Sequence, residues 1–187
     1  MKYFFIFIIG FWAKAALAQQ AVPVKDSAKT GFEITEGNLF IKLPNSEWKL
    51  AEKTEGPTTG YIFKRNEIKS PKGNFIIPAI MIYTENASQY DGDIINYSIN
   101  KRLAFSNIGL KFDKILVQNS KDYPLTFKNA IFMKAAYNAG GEEHLLYMIH
   151  IINSKDQGIQ VLMDMTKDIA GKYEDEFMSA VKSLREL

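Results

Sequence analysis

The alternation of apolar and polar residues is clearest in the last third of the chain, where it predicts three strands. They span Ala130–Ala139, His144–Asn153 and Ile159–Thr166. Gly140 and Gly141 separate the first two strands and readily supply the positive φ angles of a hairpin turn. Residues 154–158 form the second turn, and such short connections imply antiparallel pairing. The middle strand is apolar on both parities, which predicts a central position covered on both faces.

A change of period predicts that the chain closes with a helix. Apolar residues recur there at steps of four, four, four and three: Ile169, Tyr173, Phe177, Val181 and Leu184. This spacing forms one face of a helix, and the charged residues mostly lie off it. We therefore expect an amphipathic helix that lies across the sheet.

The earlier part of the chain adds further strands. They are predicted at Leu39–Leu43, Trp48–Lys53, Thr59–Arg65, Phe75–Thr84 and Phe112–Gln118. Pro78 lies inside the fourth of these strands. Because proline cannot donate a hydrogen bond to a neighbouring strand, we expect that strand at a sheet edge or at a bulge.

A second helix is predicted in mid-chain. Asp91 or Asp93 can cap its N-terminus, and it runs to about Asn107, with Gly109 suited to the C-terminal cap. Its apolar face recurs every four residues: Ile95, Ile99 and Leu103. Together the elements predict an α+β fold, in which an antiparallel β-sheet is sandwiched by helices.

The N-terminus has the pattern of an export signal. Lys2 precedes an apolar run of about 10 residues, whereas a membrane span needs about 20. Ala16–Ala18 is an A-x-A cleavage signal, so residues 1–18 are predicted to be removed before Gln19. The alternative is an N-terminal anchor that is never cut. We expect an exported protein, periplasmic or secreted, with no stable membrane span after cleavage.

The rest of the chain divides into two predicted parts. Residues 19–36 are polar with few large apolar groups, which predicts a linker or N-terminal arm. Residues 37–187 are predicted to form a single α+β domain.

Removal of the signal changes the charge balance. Without Lys2 and Lys14 the 23 basic residues fall to 21, which equals the number of acidic residues. No cluster of Lys and Arg remains that would bind nucleic acid. The chain has no cysteine, so it has no disulfide, no thiolate metal site and no cysteine nucleophile. Its stability must come from core burial.

The histidines and the acidic residues are the first candidates for chemistry. His144 and His150 face the same side of one predicted strand but lie roughly 20 Å apart, so they cannot share a metal ion. We expect both to be structural. Residues 91–93 lack the further oxygen ligands of a calcium loop, so helix capping is expected. Asp164 shares its parity with Gln160 and Thr166, which predicts an outward polar face.

No catalytic or nucleotide motif occurs. The sequence contains neither a G-x-S-x-G elbow nor a glycine-rich phosphate loop. It therefore assigns no catalytic residue, no metal ligand and no cofactor, and the ligand-binding residues stay unknown.

The order of the elements resembles that of a known superfamily. A short strand ends at Pro44 and is followed by Trp48, then a mid-chain helix, a three-stranded meander and a final helix that carries Phe177, Val181 and Leu184. This layout, over most of residues 37–187, is similar to the Mog1/PsbP-like superfamily and, among bacterial members, to the exported DcrB-like proteins. The resemblance implies an antiparallel sheet between helices and a non-enzymatic accessory or binding role. Members serve a small GTPase in one case and the oxygen-evolving photosystem in another.

These observations favour an exported non-enzymatic accessory or binding protein of the bacterial envelope, with an unknown envelope protein as its partner. The alternative is a carrier of a small apolar ligand held between sheet and helix, and it draws on the methionines of the strands: Met81, Met133, Met148, Met163 and Met165. Core filling also explains them. A third hypothesis is an unrecognised hydrolase that uses Asp164 or His150.

Overall fold

The structure is a computed structural model that describes residues 30–187, so the predicted signal peptide lies outside the described residues. The strands are β1 (Gly31–Ile34), β2 (Leu39–Lys42), β3 (Trp48–Thr54), β4 (Thr58–Arg65), β5 (Ile68–Lys69), β6 (Phe75–Ile76), β7 (Ala79–Asn86), β8 (Lys111–Val117), β9 (Ala130–Ala139), β10 (Glu142–Ile152), β11 (Gln157–Thr166) and β12 (Arg185–Glu186). The helices are α1 (Ile94–Leu103) and α2 (Lys167–Ser183).

An antiparallel sheet of seven strands forms the centre of the protein, in the order β3-β4-β7-β11-β10-β9-β8. The predicted meander is confirmed as β9, β10 and β11, and β10 lies between the other two. A three-stranded sheet, β1-β2-β12, and the short β5-β6 pair complete the strands of the described region. With α1 and α2 the fold is α+β, as the sequence predicts.

Helix α2 covers one face of the sheet. The apolar stripe predicted for it is confirmed, since Ile169, Phe177 and Val181 are buried in the larger core cluster. The ring of Phe177 lies 5.6 Å from that of Trp48 and 6.2 Å from that of Tyr147. The terminal helix is therefore an integral part of the core.

Two carboxylates on α2 fix its position on the sheet. Glu176 accepts hydrogen bonds from Trp48 Nε1 at 2.7 Å and from Arg65 Nε at 3.0 Å. Burial favours a raised pKa for Glu176, but these bonds stabilise the carboxylate and lower its pKa. Glu174 accepts from Lys134 Nζ at 3.0 Å and from the Tyr147 hydroxyl. These bonds define one orientation of the helix, because apolar packing alone has little directionality.

A second core cluster lies on the opposite face, next to α1. It contains Met81, Met133 and Met148, together with Leu162 and Phe105. Met163 and Met165 are buried in the cluster beneath α2. All five strand methionines thus fill the two cores.

The last residues of the segment predicted as a linker or N-terminal arm, 19–36, form a strand of the fold. β1 pairs with β2 in antiparallel register, with Gly31 opposite Lys42, and Ile34 is buried. Glu36 accepts hydrogen bonds from the Tyr61 hydroxyl at 2.6 Å and from Lys53 Nζ at 2.9 Å. Few large apolar residues occur in this segment, so its sequence pattern did not indicate a strand. Residues 19–29 lie outside the described range.

The strand predicted at Phe75–Thr84 is divided at Pro78 into β6 and β7, and the predicted edge or bulge position is wrong for β7. Pro78 lies between β6 and β7, and its carbonyl accepts a hydrogen bond from Arg65 N–H at 3.0 Å. β7 pairs with β4 on one side and with β11 on the other. Because proline precedes the ladder, it interrupts no pairing.

Helix α1 presents a different face to the core from the one predicted. Asp93 caps it as expected, since its side chain accepts a hydrogen bond from Asn96 N–H at 2.9 Å. Tyr97 and Ser98 are the fully buried residues of this helix. The predicted apolar face, formed by Ile95, Ile99 and Leu103, is exposed to solvent.

Candidate functional site

The candidate site is β8, which forms one edge of the main sheet. β8 pairs with β9, and no other strand of the described residues pairs with it. Three large apolar side chains on this strand are exposed: Phe112 by 38%, Ile115 by 50% and Val117 by 43%. Side chains of this size usually lie in the core, so a row of them at a sheet edge forms an exposed apolar surface among the described residues.

The two faces of β8 differ in chemistry. Ile115 lies opposite Met133, which belongs to the core cluster on the α1 side of the sheet. Lys114 lies opposite Lys134, whose Nζ binds Glu174 of α2. The apolar row of β8 therefore faces the α1 side, and lysine faces the α2 side.

The free backbone edge of β8 is short. Val117 N–H donates to Ser120 Oγ at 3.0 Å, and Val117 C=O accepts from Ser120 N–H at 2.8 Å. A β-bulge lies between Phe112 and Lys114. Since alternate residues of an edge strand direct their N–H and C=O groups outward, the open edge is centred on Ile115. Bulges and lysines at an edge also oppose indiscriminate strand pairing.

His144, Asp164 and Tyr137 form a buried polar group on three adjacent strands. His144 Nδ1 lies 3.2 Å from each carboxylate oxygen of Asp164, and Tyr137 donates its hydroxyl proton to Asp164 Oδ1 at 3.1 Å. The Tyr137 and His144 rings stack with centroids 4.8 Å apart. Burial and the neighbouring Asp164 raise the pKa of Tyr137. The tyrosine therefore stays protonated and donates a hydrogen bond to the carboxylate.

The predicted outward polar face around Asp164 is wrong. Asp164 has no exposed surface, and Gln160 and Thr166 are buried as well. Tyr137 and His144 satisfy the carboxylate from the two neighbouring meander strands, so no water is needed.

His150 lies beneath α1. Its Nδ1 is 2.9 Å from Ser98 Oγ, whereas its Nε2 is buried without a hydrogen-bond partner among the described residues. Burial is the main cause that lowers the pKa of His150 to about 3, and the charges of Arg102 and Lys101 add to it. The imidazole of His150 is therefore neutral in the folded protein. Like His144, it serves as a contact between elements.

A polar cleft of about 420 Å³ opens beside β7 and the turn before β11. Two of the carboxylates that line it are already paired: Glu36 with Lys53, and Glu85 with Lys101. Burial opposes ionisation of Glu36, but hydrogen bonds from Tyr61 and Lys53 lower its pKa to about 2. The cleft is thus a paired polar surface, unlike the apolar pocket that the carrier hypothesis requires.

Within residues 30–187, no three His, Cys, Asp or Glu side chains are arranged to hold a metal ion. Over the same residues, no helix is long and apolar enough to cross a membrane.

Comparison with known proteins shows the fold. No protein-family model matches the chain, and no curated protein matches it. Among solved structures, it is similar to PA94, a protein of unknown function from Pseudomonas aeruginosa, with 14% identity and a TM-score of 0.53. That match covers 75% of this chain and 98% of PA94.

Two further structures are similar to the chain. A protein from Bacteroides thetaiotaomicron VPI-5482 matches with 13% identity and a TM-score of 0.50, over 86% of this chain and 49% of that protein. LpqN of Mycobacterium tuberculosis, involved in cell envelope biogenesis, matches with 17% identity and a TM-score of 0.48, over 88% of this chain and 89% of LpqN. At these identities the likeness to PA94 and to the Bacteroides protein shows an α+β sheet fold and no shared activity. The Mog1/PsbP-like resemblance therefore stays a prediction.

Proposed function

We propose that the chain is an exported, non-enzymatic accessory protein of the bacterial envelope, of the Mog1/PsbP-like type, and that it binds an envelope protein along β8. The observation that carries this proposal is the row of exposed apolar side chains on an open sheet edge. Protein edges of this kind accept an extended segment of another chain, in which main-chain hydrogen bonds give affinity and side chains give specificity.

The occupant that fits β8 is an extended segment of the envelope partner with two unlike faces. Its side chains next to Phe112 and Ile115 must be apolar, because these two lie on the α1 side of the sheet. Its side chains on the α2 side must include a carboxylate, because Lys114 is exposed there beside Lys134. Opposite charges across neighbouring strands stabilise the pair, whereas like charges oppose it.

Site-specific crosslinking in cells tests this proposal. A photoreactive amino acid is placed at position 117 and crosslinked in cells, and the protein is then purified with the cell envelope. It should give one adduct with one envelope protein. Ile115→Lys should abolish that adduct, since it places a charge in the apolar row. Lys114→Glu should weaken it by about tenfold or more, because it removes the charge complement.

Ile77→Lys is the matched control. Ile77 is exposed by 40% but lies next to β6, away from β8, so this variant should keep the adduct. Charge complementarity is tested further in the partner: replacing the acidic residue of its segment with lysine should restore binding to Lys114→Glu. An adduct of twice the chain's own mass, an adduct insensitive to Ile115→Lys, or no adduct would each contradict the proposal.

A further inference from the structure

Arg102 lies where helix α1 meets the β8 edge. Its guanidinium is 5.6 Å from the centre of the Phe112 ring, and its Nε donates to Ser98 C=O at 3.3 Å, one turn earlier in the helix. Phe112 belongs to the exposed apolar row of β8. A cation is therefore in contact with the apolar residues of the candidate site.

The charge of Arg102 is not neutralised within the described residues. The ion pairs of residues 30–187 include none with Arg102, whereas the adjacent Lys101 is paired with Glu85 of β7. The side chain is only partly buried, and its hydrogen bond to Ser98 uses Nε alone. Nη1 and Nη2 carry the remaining N–H donors in a planar fork. Such a fork binds a carboxylate through two parallel hydrogen bonds.

Helix α1 runs alongside β8 in the opposite direction. Near the N-terminus of the helix, Asn129 Nδ2 donates to Gly92 C=O at 2.8 Å, which ties this end to the start of β9. β9 pairs with Val117 near its start and with Phe112 further along. Arg102 reaches Phe112 from the other end of the helix. The helix therefore extends from the Val117 end of β8 to the Phe112 end.

The side of α1 that faces β8 is apolar apart from Arg102. Ile95 and Ile99 precede Arg102 by seven and three residues, so they lie on the same side of the helix, and both are exposed. The helix packs on β9 and β10. Because a helix is about 10 Å wide and strands are about 4.8 Å apart, its flank lies close to β8. This flank and the apolar row of β8 form the two walls of a groove, with Arg102 at its Phe112 end.

We propose that Arg102 determines specificity at the β8 site by binding an acidic side chain of the partner segment. This inference rests on the function proposed for β8 and adds a second acidic position to the partner. The apolar side chains of the segment pack on β8 on the α1 side, and the acidic residue follows them on that same side. It is distinct from the carboxylate opposite Lys114, which lies on the α2 side of the sheet.

The position of Arg102 explains how it would discriminate between partners. An occupied groove shields the guanidinium from water, because both of its walls are apolar. A cation that loses water without gaining a partner is costly, whereas a charge-assisted pair with a carboxylate offsets that cost. A segment with a neutral residue at this position would leave Arg102 covered and unpaired. Arg102 therefore acts against unsuitable segments as well as in favour of acidic ones.

Two short capped peptides test this inference on the unmodified protein, purified from the cell envelope. Both alternate valine with threonine, and one carries a glutamate in line with its valines where the other carries glutamine. The chain has three arginines, so the Nε–H signals of a ¹⁵N spectrum distinguish Arg102 from Arg65 and Arg185. The glutamate peptide should shift the Arg102 signal and bind at least about tenfold more tightly than the glutamine peptide.

Arg102→Gln should abolish the preference for glutamate. Arg185→Gln is the matched control, because Arg185 also lies over an aromatic ring, 3.6 Å from the centre of Phe40, but belongs to β12. This variant should keep the preference, as should Lys114→Gln, which removes the charge on the α2 side. Both peptides are compared on the same variant, so any general effect of the substitution on α1 or Phe112 cancels.

Equal affinities of the two peptides for the unmodified protein, or a preference that persists in Arg102→Gln, would overturn this inference. Either result would leave β8 as an edge that accepts an extended segment. Binding of neither peptide would contradict the function proposed for β8 and this inference with it. In cells, Arg102→Gln should reduce the adduct at position 117 by about tenfold, whereas Arg185→Gln should leave it unchanged.

Discussion

Substitution of Gly158 by alanine is expected to destabilise the protein by roughly 2 kcal/mol, because the new methyl group would overlap Tyr97. A Cβ at position 158 lies 2.8 Å from both Cε2 and the hydroxyl oxygen of Tyr97. The Tyr97 ring is fully buried and packs edge-on against Tyr90, with centroids 5.2 Å apart. The ring therefore cannot rotate away, and α1 must shift instead. For a chain of this size, Tm should fall by roughly 4–8 °C in thermal unfolding.

Gly171→Ala is the matched control. Gly171 lies inside α2, and a Cβ there has no neighbour within 4 Å. Alanine favours the helix over glycine by roughly 0.5–1 kcal/mol, so this variant should be slightly more stable than the unmodified protein. If Gly158→Ala proved as stable as Gly171→Ala, the close fit between Tyr97 and β11 would be incorrect.

The meander and α2 were predictable because their sequence pattern and their tertiary environment agree. β10 is apolar on both parities and lies between two strands with cores on both faces. The stripe of α2 faces one core, and most of its charged residues face away; the exceptions are Glu174, Glu176 and the partly buried Asp168. Local pattern decides such elements, since most of their buried positions are apolar.

The orientation of α1 could not be predicted, because its buried face contains a serine. Ser98 is covered only because His150 lies opposite it on β10, and Tyr97 is covered because β11 has Gly158 at the contact. Neither partner is visible from the periodicity of the helix itself. Apolar spacing therefore selected Ile95, Ile99 and Leu103, which the structure exposes.

The candidate site was missed for a related reason. Phe112, Ile115 and Val117 have the composition of a core strand, and sequence alone does not say which strand ends the sheet. That follows from the strand order, in which β8 lies beyond β9. The prediction for Asp164 failed in the opposite way. It was predicted to face outward, but polar residues on three strands hydrogen-bond to one another inside the protein. Edge position and mutual pairing are both properties of the assembled sheet.

Acidification is expected to destabilise the protein through His150. The side chain has a pKa of about 6.5 in an unfolded chain, and burial beside Arg102 and Lys101 lowers it to about 3 in the folded protein. Between these values the unfolded state binds a proton that the folded state does not, so stability falls as pH decreases. From about pH 8 to about pH 5 this group alone should remove about 2 kcal/mol from the free energy of unfolding. The neighbouring carboxylate, Glu85, is engaged with Lys101 and does not offset the charge.

His150→Gln provides the comparison, because glutamine is polar and does not titrate. Urea unfolding of both proteins across this pH range should give a difference in free energy that narrows as pH decreases. The comparison is made above about pH 5. Glu174 and Glu176 have lowered pKa values, so their contributions to the free energy of unfolding decrease only at lower pH. A pH-independent difference would mean that His150 is protonated or solvated beneath α1. The expected pH dependence instead follows from the contact beneath α1, where a neutral imidazole fits against Ser98 and the charges of Arg102 and Lys101 disfavour an imidazolium.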